Sequence, residues 1–543
     1  MSSRIFSTAR TIAPCAALRA LLVLVTGCLA GCSHLPPGAS YPRDPSTALA
    51  APLTTRLGQH IAELGQAHPG LSGFRIVSVG VDGFLTRAQI IDSAEQTLDL
   101  QYYIFRSDET GRLLSAALAR AAARGVRVRI LLDDGDTRPG DERVAALAGY
   151  PGIELRIFNP FAYRGHALAL RAAEFLVDHQ RLDYRMHNKL LVVDNAVAMI
   201  GGRNIGNQYF QMDPESQFAD DDVFAAGPIV THLSATFDEF WNNPLAIPVA
   251  ALQGGQRSTG QPGDPALQHP HELGNLQNDG VDYGLALASG EPYAGMLSGR
   301  LPLEWARAEV LSDSPGKQAV MSGSAVGRLM MSAVLDAARA AHSEILIVTP
   351  YFVHTEQDLA LFTELRARNV RIRMLTNSLE SSHALLPHSG YVPHRAALLE
   401  QGVEINEVRA LLSTTRGSGQ TRLISAYGTY ALHAKLYVFD GRKLFIGSMN
   451  FDQRSKHLNT EIGLMIESPL LARQTAERFA AMTQPQNSYV LALRSRPFGA
   501  APILIWQTRE AGEVVEYWRE PARYRWDRAV VRLLSWLPIA GEL

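Results

Sequence analysis

The stretch "HNKLLVVD" at 187–194 returns as "HAKLYVFD" at 433–440, so His-x-Lys-x₄-Asp stands twice in one chain of 543 residues. Composition weighs against coincidence. The chain holds five lysines (Lys189, Lys317, Lys435, Lys443, Lys456) against 46 arginines. Two of those scarce lysines follow a histidine by two residues. As generic surface charge Arg and Lys are interchangeable, but not where a compact ammonium must meet a phosphate oxygen. Lys317 and Lys456 have no place in the repeated pattern and are expected to tolerate arginine.

The repeat extends beyond the motif. "AEQTLDLQYYIF" (94–105) aligns with "AHSEILIVTPYF" (341–352). Each runs through a helical stretch into a strand: "LLSAALARAAARGVRVRILLDD" ends at 134 and "LALFTELRARNVRIRMLTNS" at 378. "GIELRIFNPF" (152–161) and "GVEINEV" (402–408) are the next matched strands. Apolar strands alternating with amphipathic helices imply βαβ units and a mainly parallel sheet covered by helices. A tandem duplication of this kind constrains the fold more than any propensity. Between the halves, residues 252–280 are dense in Gly, Pro and Gln and read as a loop or insertion.

Residues two apart on a strand share a face, so His187 points with Lys189 and His433 with Lys435. Asp194 and Asp440 fall on the opposite face or in the following turn. Asp440-Gly441 is itself a hairpin signal. Asn204 and Asn450 follow their histidines at the same spacing, and "DDDVFAAGP" registers with "EIGLMIESP" to place Asp220 opposite Glu461. A histidine beside a lysine and an asparagine offers a nucleophile or acid–base group next to two donors for an anion. Two such sets, brought together by pseudo-twofold packing, would face each other across one phosphorus atom. One histidine attacks while the other protonates the leaving alkoxide and then activates the incoming alcohol or water.

The paired HxKxxxxD motifs, each followed by GxxN, resemble those of the phospholipase D superfamily over roughly residues 80 to 500. That resemblance implies an α/β fold: two phospholipase D-like domains with mixed, mainly parallel sheets packed around one shared active site. It implies a covalent phosphohistidine intermediate, no cofactor and no required metal. His187 and His433 match the nucleophile and general acid/base, in an order left open. Lys189, Lys435, Asn204 and Asn450 match phosphate-binding positions, and Asp220 and Glu461 the acids that orient the histidines. Asp194 and Asp440 match the motif aspartates, with a supporting role. The copies differ at one point: Gly447-Ser448-Met449-Asn450 answers to Gly201-Gly202-Arg203-Asn204, so the hydroxyl of Ser448 has no counterpart. The expected domains span 61–251 and 301–500, with a linker at 252–300 and a tail at 501–543.

"LDLQYYIF", "RMHNKLLVVDNAVAMIGGRNIGNQYF" and "FIGSMNFDQRSKHLNTEIGLMIES" look like bacterial cardiolipin synthases, the C type in particular. Such enzymes would move a phosphatidyl group onto phosphatidylglycerol, from a second phosphatidylglycerol or from phosphatidylethanolamine. Two alternatives are a phospholipase D-type hydrolase and an inactive lipid-binding lipoprotein; both intact motifs oppose the second. A net charge of −2 and a pI near 6.8 supply no attraction for a nucleic-acid backbone, which disfavours a nuclease.

The termini fit a lipid substrate. Arg4 and Arg10 precede "ALLVLVTGCLAGC", an apolar run too short to span a bilayer. It ends in Leu29-Ala30-Gly31-Cys32, which resembles a lipobox: residues 1–31 would be a signal peptide, Cys32 the lipidated N-terminus, and 32–60 a tether. The bulk of the chain would face an extracytoplasmic space such as the periplasm. Ser33 lacks the aspartate that favours inner-membrane retention in enterobacteria, whereas the substrates are made at the inner membrane, so the final membrane stays open. At the other end, 523–543 reads as an amphipathic helix up to Pro538. Arg525, Arg528 and Arg532 share one side; Trp526, Val530, Leu533 and Leu537 share the other, which would lie in lipid headgroups or pack on the body.

Overall fold

A computed structural model describes residues 35–135, 142–165, 167–213, 215–252, 277–278, 281–282, 289–410, 429–499 and 501–537. The expected signal segment, Cys32, Pro538 and most of the linker lie outside these residues. Each half is built around three parallel strands: Thr97–Tyr102, Arg127–Asp133 and Ile153–Phe158 in the first, Glu344–Val348, Arg371–Asn377 and Glu404–Val408 in the second. Helices make the first crossover of each set. Glu109–Ala123 starts on an Asp108 carboxylate that accepts from the Gly111 amide, and Glu356–Ala367 on a Thr355/Asp358 capping box.

The duplicated α/β architecture is present, but the expectation of mainly parallel sheets needs correction. Parallel pairing within each sheet is confined to those three strands, and their other neighbours are antiparallel. The reason is in the connections. Leu190–Val193 joins Val197–Gly201, and Leu436–Phe439 joins Lys443–Gly447, through tight hairpins, which can link only antiparallel strands. Asp194 and Asn195 take φ of 51° and 50°, and Asp440 and Gly441 take 53° and 61°. These left-handed pairs are the central residues of the turns in two three-residue loops, where the Ala196 and Arg442 amides donate to the Val193 and Phe439 carbonyls at 3.0 Å.

The halves are joined at a sheet edge, where Ser72–Phe74 pairs antiparallel with Glu304–Ala306. They also share a core. Leu190, Val192, Ala198 and Ile200 of the first hairpin pack in one cluster with Leu436, Val438, Leu444 and Ile446 of the second. Phe237 and Trp241 on the helix Ile229–Trp241, and Leu471 and Phe479 on Pro469–Met482, complete it. Burying that much apolar surface between the halves fixes their relative placement, at roughly 25 cal/mol for each Å² removed from water.

Two segments depart from expectation. In the linker, Tyr293 and Met296 are buried against the first half, where the Tyr293 and Ser93 hydroxyls lie 3.1 Å apart. In the expected tail, Ile503–Glu510 and Glu513–Tyr517 form a hairpin that extends the second sheet beyond Ser488–Arg494. The C-terminal helix spans Asp527–Leu534. It packs on the body through Val531, not Val530, and through Arg528, whose Nε donates to the Glu520 carbonyl at 2.6 Å. Trp526, Leu533 and Leu537 stay exposed. Among the described residues no helix is long and apolar enough to cross a membrane.

Candidate active site

His187 and His433 lie just ahead of the strands Leu190–Val193 and Leu436–Phe439, and each is held by the other half of the chain. Met186 bridges Thr460, and the His187 amide donates to the Thr460 carbonyl at 2.9 Å. The next residue after Thr460 is Glu461, whose carboxylate lies 2.8 and 3.0 Å from His187 Nδ1. In the second crossing, Thr429–Leu432 pairs in parallel with Ser216–Ala219, and the His433 amide donates to the Ala219 carbonyl at 2.7 Å. Asp220 follows, with Oδ2 at 2.5 Å from His433 Nδ1. A parallel register therefore delivers each histidine beside the acid of the opposite half. With Nδ1 engaged by a carboxylate, Nε2 is the nitrogen left for chemistry.

Electrostatics show that these are not two separate sites. Burial first, then the ammonium of Lys189 and that of Lys435, push His187 well below its ordinary 6.5. Burial and the same two lysines push His433 down to about 3, against the opposing pull of Asp220. Each lysine thus acts on both histidines. Burial lowers the lysines as well, Lys435 to about 8. Lys189 Nζ donates to the His187 carbonyl at 2.6 Å and lies 5.4 Å from the centre of the Tyr103 ring. Lys435 Nζ donates to the His433 carbonyl and sits 3.0 Å from His433 Nδ1. In this buried cluster of two ammonium groups, two imidazoles and two carboxylates, a bound anion would relieve the repulsion among the cations.

The two acids differ. Burial raises Glu461 to about 7, with Lys189 and the hydroxyls of Ser448 and Ser455 pulling it back. Burial would also raise Asp220, but His433, Lys435 and Arg203 outweigh it and hold the carboxyl at about 2. Ser448, expected to bind phosphate or support the site, donates to Glu461 and accepts from the Ile462 amide at 3.0 Å. Its counterpart is Gly202, where a Cβ would stand 2.1 Å from Asp220 Oδ1, so no serine fits. Arg203 next to it is fully buried and donates to Asp222, to the Val77 carbonyl at 2.7 Å and to the Tyr209 carbonyl at 3.2 Å.

The asparagines differ too. Asn204 Nδ2 donates to the Tyr209 hydroxyl at 2.9 Å, and its Oδ1 accepts from the Ile104 amide. Asn450 Oδ1 is buried with no hydrogen-bond partner among the described residues. Asp194 and Asp440 lie outside the site. A four-residue strand separates each from its histidine, roughly 20 Å along the chain at about 3.3 Å per residue. Asp194 accepts from the amides of Glu95, Gln96 and Thr97 at 2.8–2.9 Å, and Asp440 from those of His342, Ser343 and Glu344. They clamp the start of the first central strand in each half.

A family model described as cardiolipin synthase, PLD-like domain, matches residues 88–241 and 334–483. The chain belongs to this family. It is a phosphatidyltransferase-type member of the phospholipase D superfamily. Cardiolipin synthase C of Escherichia coli (strain K12) is 37% identical over 490 residues, 89% of this chain and 99% of that one. An uncharacterized protein of Helicobacter pylori is 29% identical over 475 residues, covering 86% of this chain and 88% of its own. Among solved structures, a phosphatidylserine synthase of Haemophilus influenzae is 13% identical and covers 79% of this chain and 92% of its own, at a TM-score of 0.48.

Several neighbours of this phospholipase D-type site are not singled out by the motif. Tyr103 meets His187 edge-on at 5.0 Å, Tyr209 meets His433 at 5.2 Å, and the Phe218 ring lies 5.3 Å from His433. Ser455 donates to Glu461 at 2.8 Å. Single aromatics carry no periodic signature. The roles of Ser448 and Ser455, on either side of Met449-Asn450, become visible only once Glu461 is in place between them. The lysines outside the motif correct an expectation. Lys317 is buried, donating to Asp313 and to the carbonyls of Ser455 and Asn459, and Lys456 is buried against Asp358. Neither is a surface residue; only Lys443 is exposed, 3.0 Å from Glu467.

Proposed function

We propose that the chain transfers a phosphatidyl group onto phosphatidylglycerol through a phosphohistidine intermediate. The observation that carries this reading is the pair of crossed imidazole–carboxylate contacts, with both lysines acting on both rings. Nε2 of one neutral histidine attacks phosphorus, forming an N–P bond as the P–O bond to the headgroup breaks. The other histidine, protonated, gives its proton to the departing glycerol or ethanolamine oxygen. That histidine, now neutral, takes the proton of the incoming glycerol hydroxyl, whose oxygen displaces the N–P bond. Lys189, Lys435, Asn204 and Asn450 hold the phosphoryl oxygens; Asp220 and Glu461 fix each ring and stabilise its imidazolium.

The site would work at the extracytoplasmic face of a membrane, with Cys32 lipidated as the anchor. The family match supports a membrane setting, and the lipobox-like Leu29-Ala30-Gly31-Cys32 supports the anchor and its side. The test is incubation of the purified chain with labelled phosphatidylglycerol, with and without phosphatidylethanolamine. Labelled cardiolipin with released glycerol or ethanolamine is the expected product. Phosphatidic acid alone would replace this reading with hydrolysis, and no turnover of either lipid would overturn it.

A further inference from the structure

The helix Leu168–Val177 is built inside-out. Eight of the ten residues in "LALRAAEFLV" are apolar, yet none of the ten is buried. Leu168 is 82% exposed, Leu176 76%, Val177 73% and Leu170 54%. Both charged side chains are turned toward the body, beside the half-buried Phe175. Arg171 donates to the Asp134 carbonyl at 2.6 Å and covers the Phe161 ring at 4.1 Å. Glu174 accepts from the Ala162 and Tyr163 amides at 2.6 and 2.8 Å. In water a helix presents the reverse pattern, so its outer face is made for an apolar environment.

Its position says which one. Asp134 anchors the helix, and its neighbour Asp133 accepts from the Met186 amide at 2.8 Å, one residue before His187. The other histidine has a comparable flank. His433 meets Phe218, whose ring lies 5.1 Å from His383, and the charge of Arg523 acts on His383. Arg523 opens the C-terminal segment in which Trp526, Leu533, Trp536 and Leu537 are exposed among Arg525 and Arg532. Apolar side chains interleaved with arginine complement an anionic lipid surface.

We propose that the helix Leu168–Val177 is a lipid-docking element that, with the C-terminal helix, seats the cleft on a bilayer containing anionic phospholipid. This rests on the reading of the site as acting on membrane lipid, but its test does not need turnover. The full chain carrying Cys32→Ser, which removes the anchor, is titrated with vesicles of phosphatidylcholine alone and of phosphatidylcholine with phosphatidylglycerol. The apolar run at the N-terminus is present in every variant and cancels in the comparison. The double change Leu168→Ser and Leu176→Ser should weaken partitioning at least about tenfold, since inserting each leucine is worth that much or more. Leu168→Phe with Leu176→Phe should retain binding, thermal midpoints should not move, and phosphatidylglycerol should strengthen partitioning of the parent. Equal partitioning of the serine variant and the parent would overturn the proposal. So would an equilibrium between oligomers that the serine changes dissolve, because the face would then belong to a second copy. A chain that docks on vesicles but makes no cardiolipin would sink the functional reading and leave the docking surface standing.

Discussion

Asp220→Asn tests the crossed arrangement directly, because it alters the first half to disable a histidine of the second. The Asp220 carboxylate is fully buried and 2.5 Å from His433 Nδ1. With charge centres about 4 Å apart and an effective dielectric constant near 20, it stabilises a His433 imidazolium by about 4 kcal/mol. Asparagine keeps the shape and can still accept from Nδ1–H, so the ring stays oriented while that electrostatic contribution disappears. At about 1.36 kcal/mol per decade, phosphatidyl transfer should fall about 10³-fold. Single-turnover transfer in mixed micelles measures it. A companion experiment follows the histidine ring resonances: Asp220→Asn should shift His433 and leave His187 in place, and Glu461→Gln should do the reverse. Transfer within about tenfold of the parent, or a shift in His187 instead, would refute the crossed pairing as the working geometry.

Lys189→Arg and Lys435→Arg should each cost ~10²-fold in transfer while the chain stays folded, because a planar guanidinium does not fit where a compact ammonium meets phosphate. Lys443→Arg is the surface control and should match the parent; Lys317→Arg and Lys456→Arg should lower the melting temperature, since each fills a buried cage. Asp194→Ala should leave three backbone amides unpaired and cost on the order of 3 kcal/mol in urea unfolding, with kcat per folded molecule unchanged. Glu461 is raised from 4.5 to about 7, so between those values the folded chain holds a proton that the unfolded chain has lost, and this group makes stability fall as pH rises. Glu461→Gln should therefore make the slope of unfolding free energy against pH more positive by up to about 1.4 kcal/mol per unit, read from urea melts over that window. An unchanged slope would mean the carboxyl titrates normally in the folded chain.

The repeat was legible in the sequence because strands and motif recur in register, and the registration on Pro228 and Pro469 paired Asp220 with Glu461 as equivalents. Which histidine each acid serves was not legible. It depends on the parallel ribbon of Ser216–Ala219 with Thr429–Leu432, a contact between segments distant in the chain whose side chains carry no mark of their partner. The place of the motif aspartates was open for a related reason. Period-2 alternation tells faces apart but not ends, so Asp194 and Asp440 read equally as residues of the opposite face or of the following turn, and the structure has them in the turn. Lys317 was expected to tolerate arginine because lysine is almost never buried unless paired, and its partners Asp313, Ser455 and Asn459 are spread over the fold. The helix Leu168–Val177 gave no periodic warning either: an apolar stripe marks an amphipathic helix whichever way it faces.

The fused edge at Ser72–Phe74 and Glu304–Ala306 has a further consequence. Two identical halves meeting about a twofold axis would be bound to carry identical environments around their two imidazoles. A single chain is free of that constraint. Here one ring rests on an aspartate that has a glycine, not a serine, beside it and accepts from the Asp221 amide at 2.8 Å, and the other on a glutamate held by two serine hydroxyls. A reaction in which one histidine must be unprotonated while the other carries a proton is itself unsymmetrical. Covalent linkage lets mutation act on each ring separately, so the division of labour can be written into the resting protein and need not wait for substrate to break the tie.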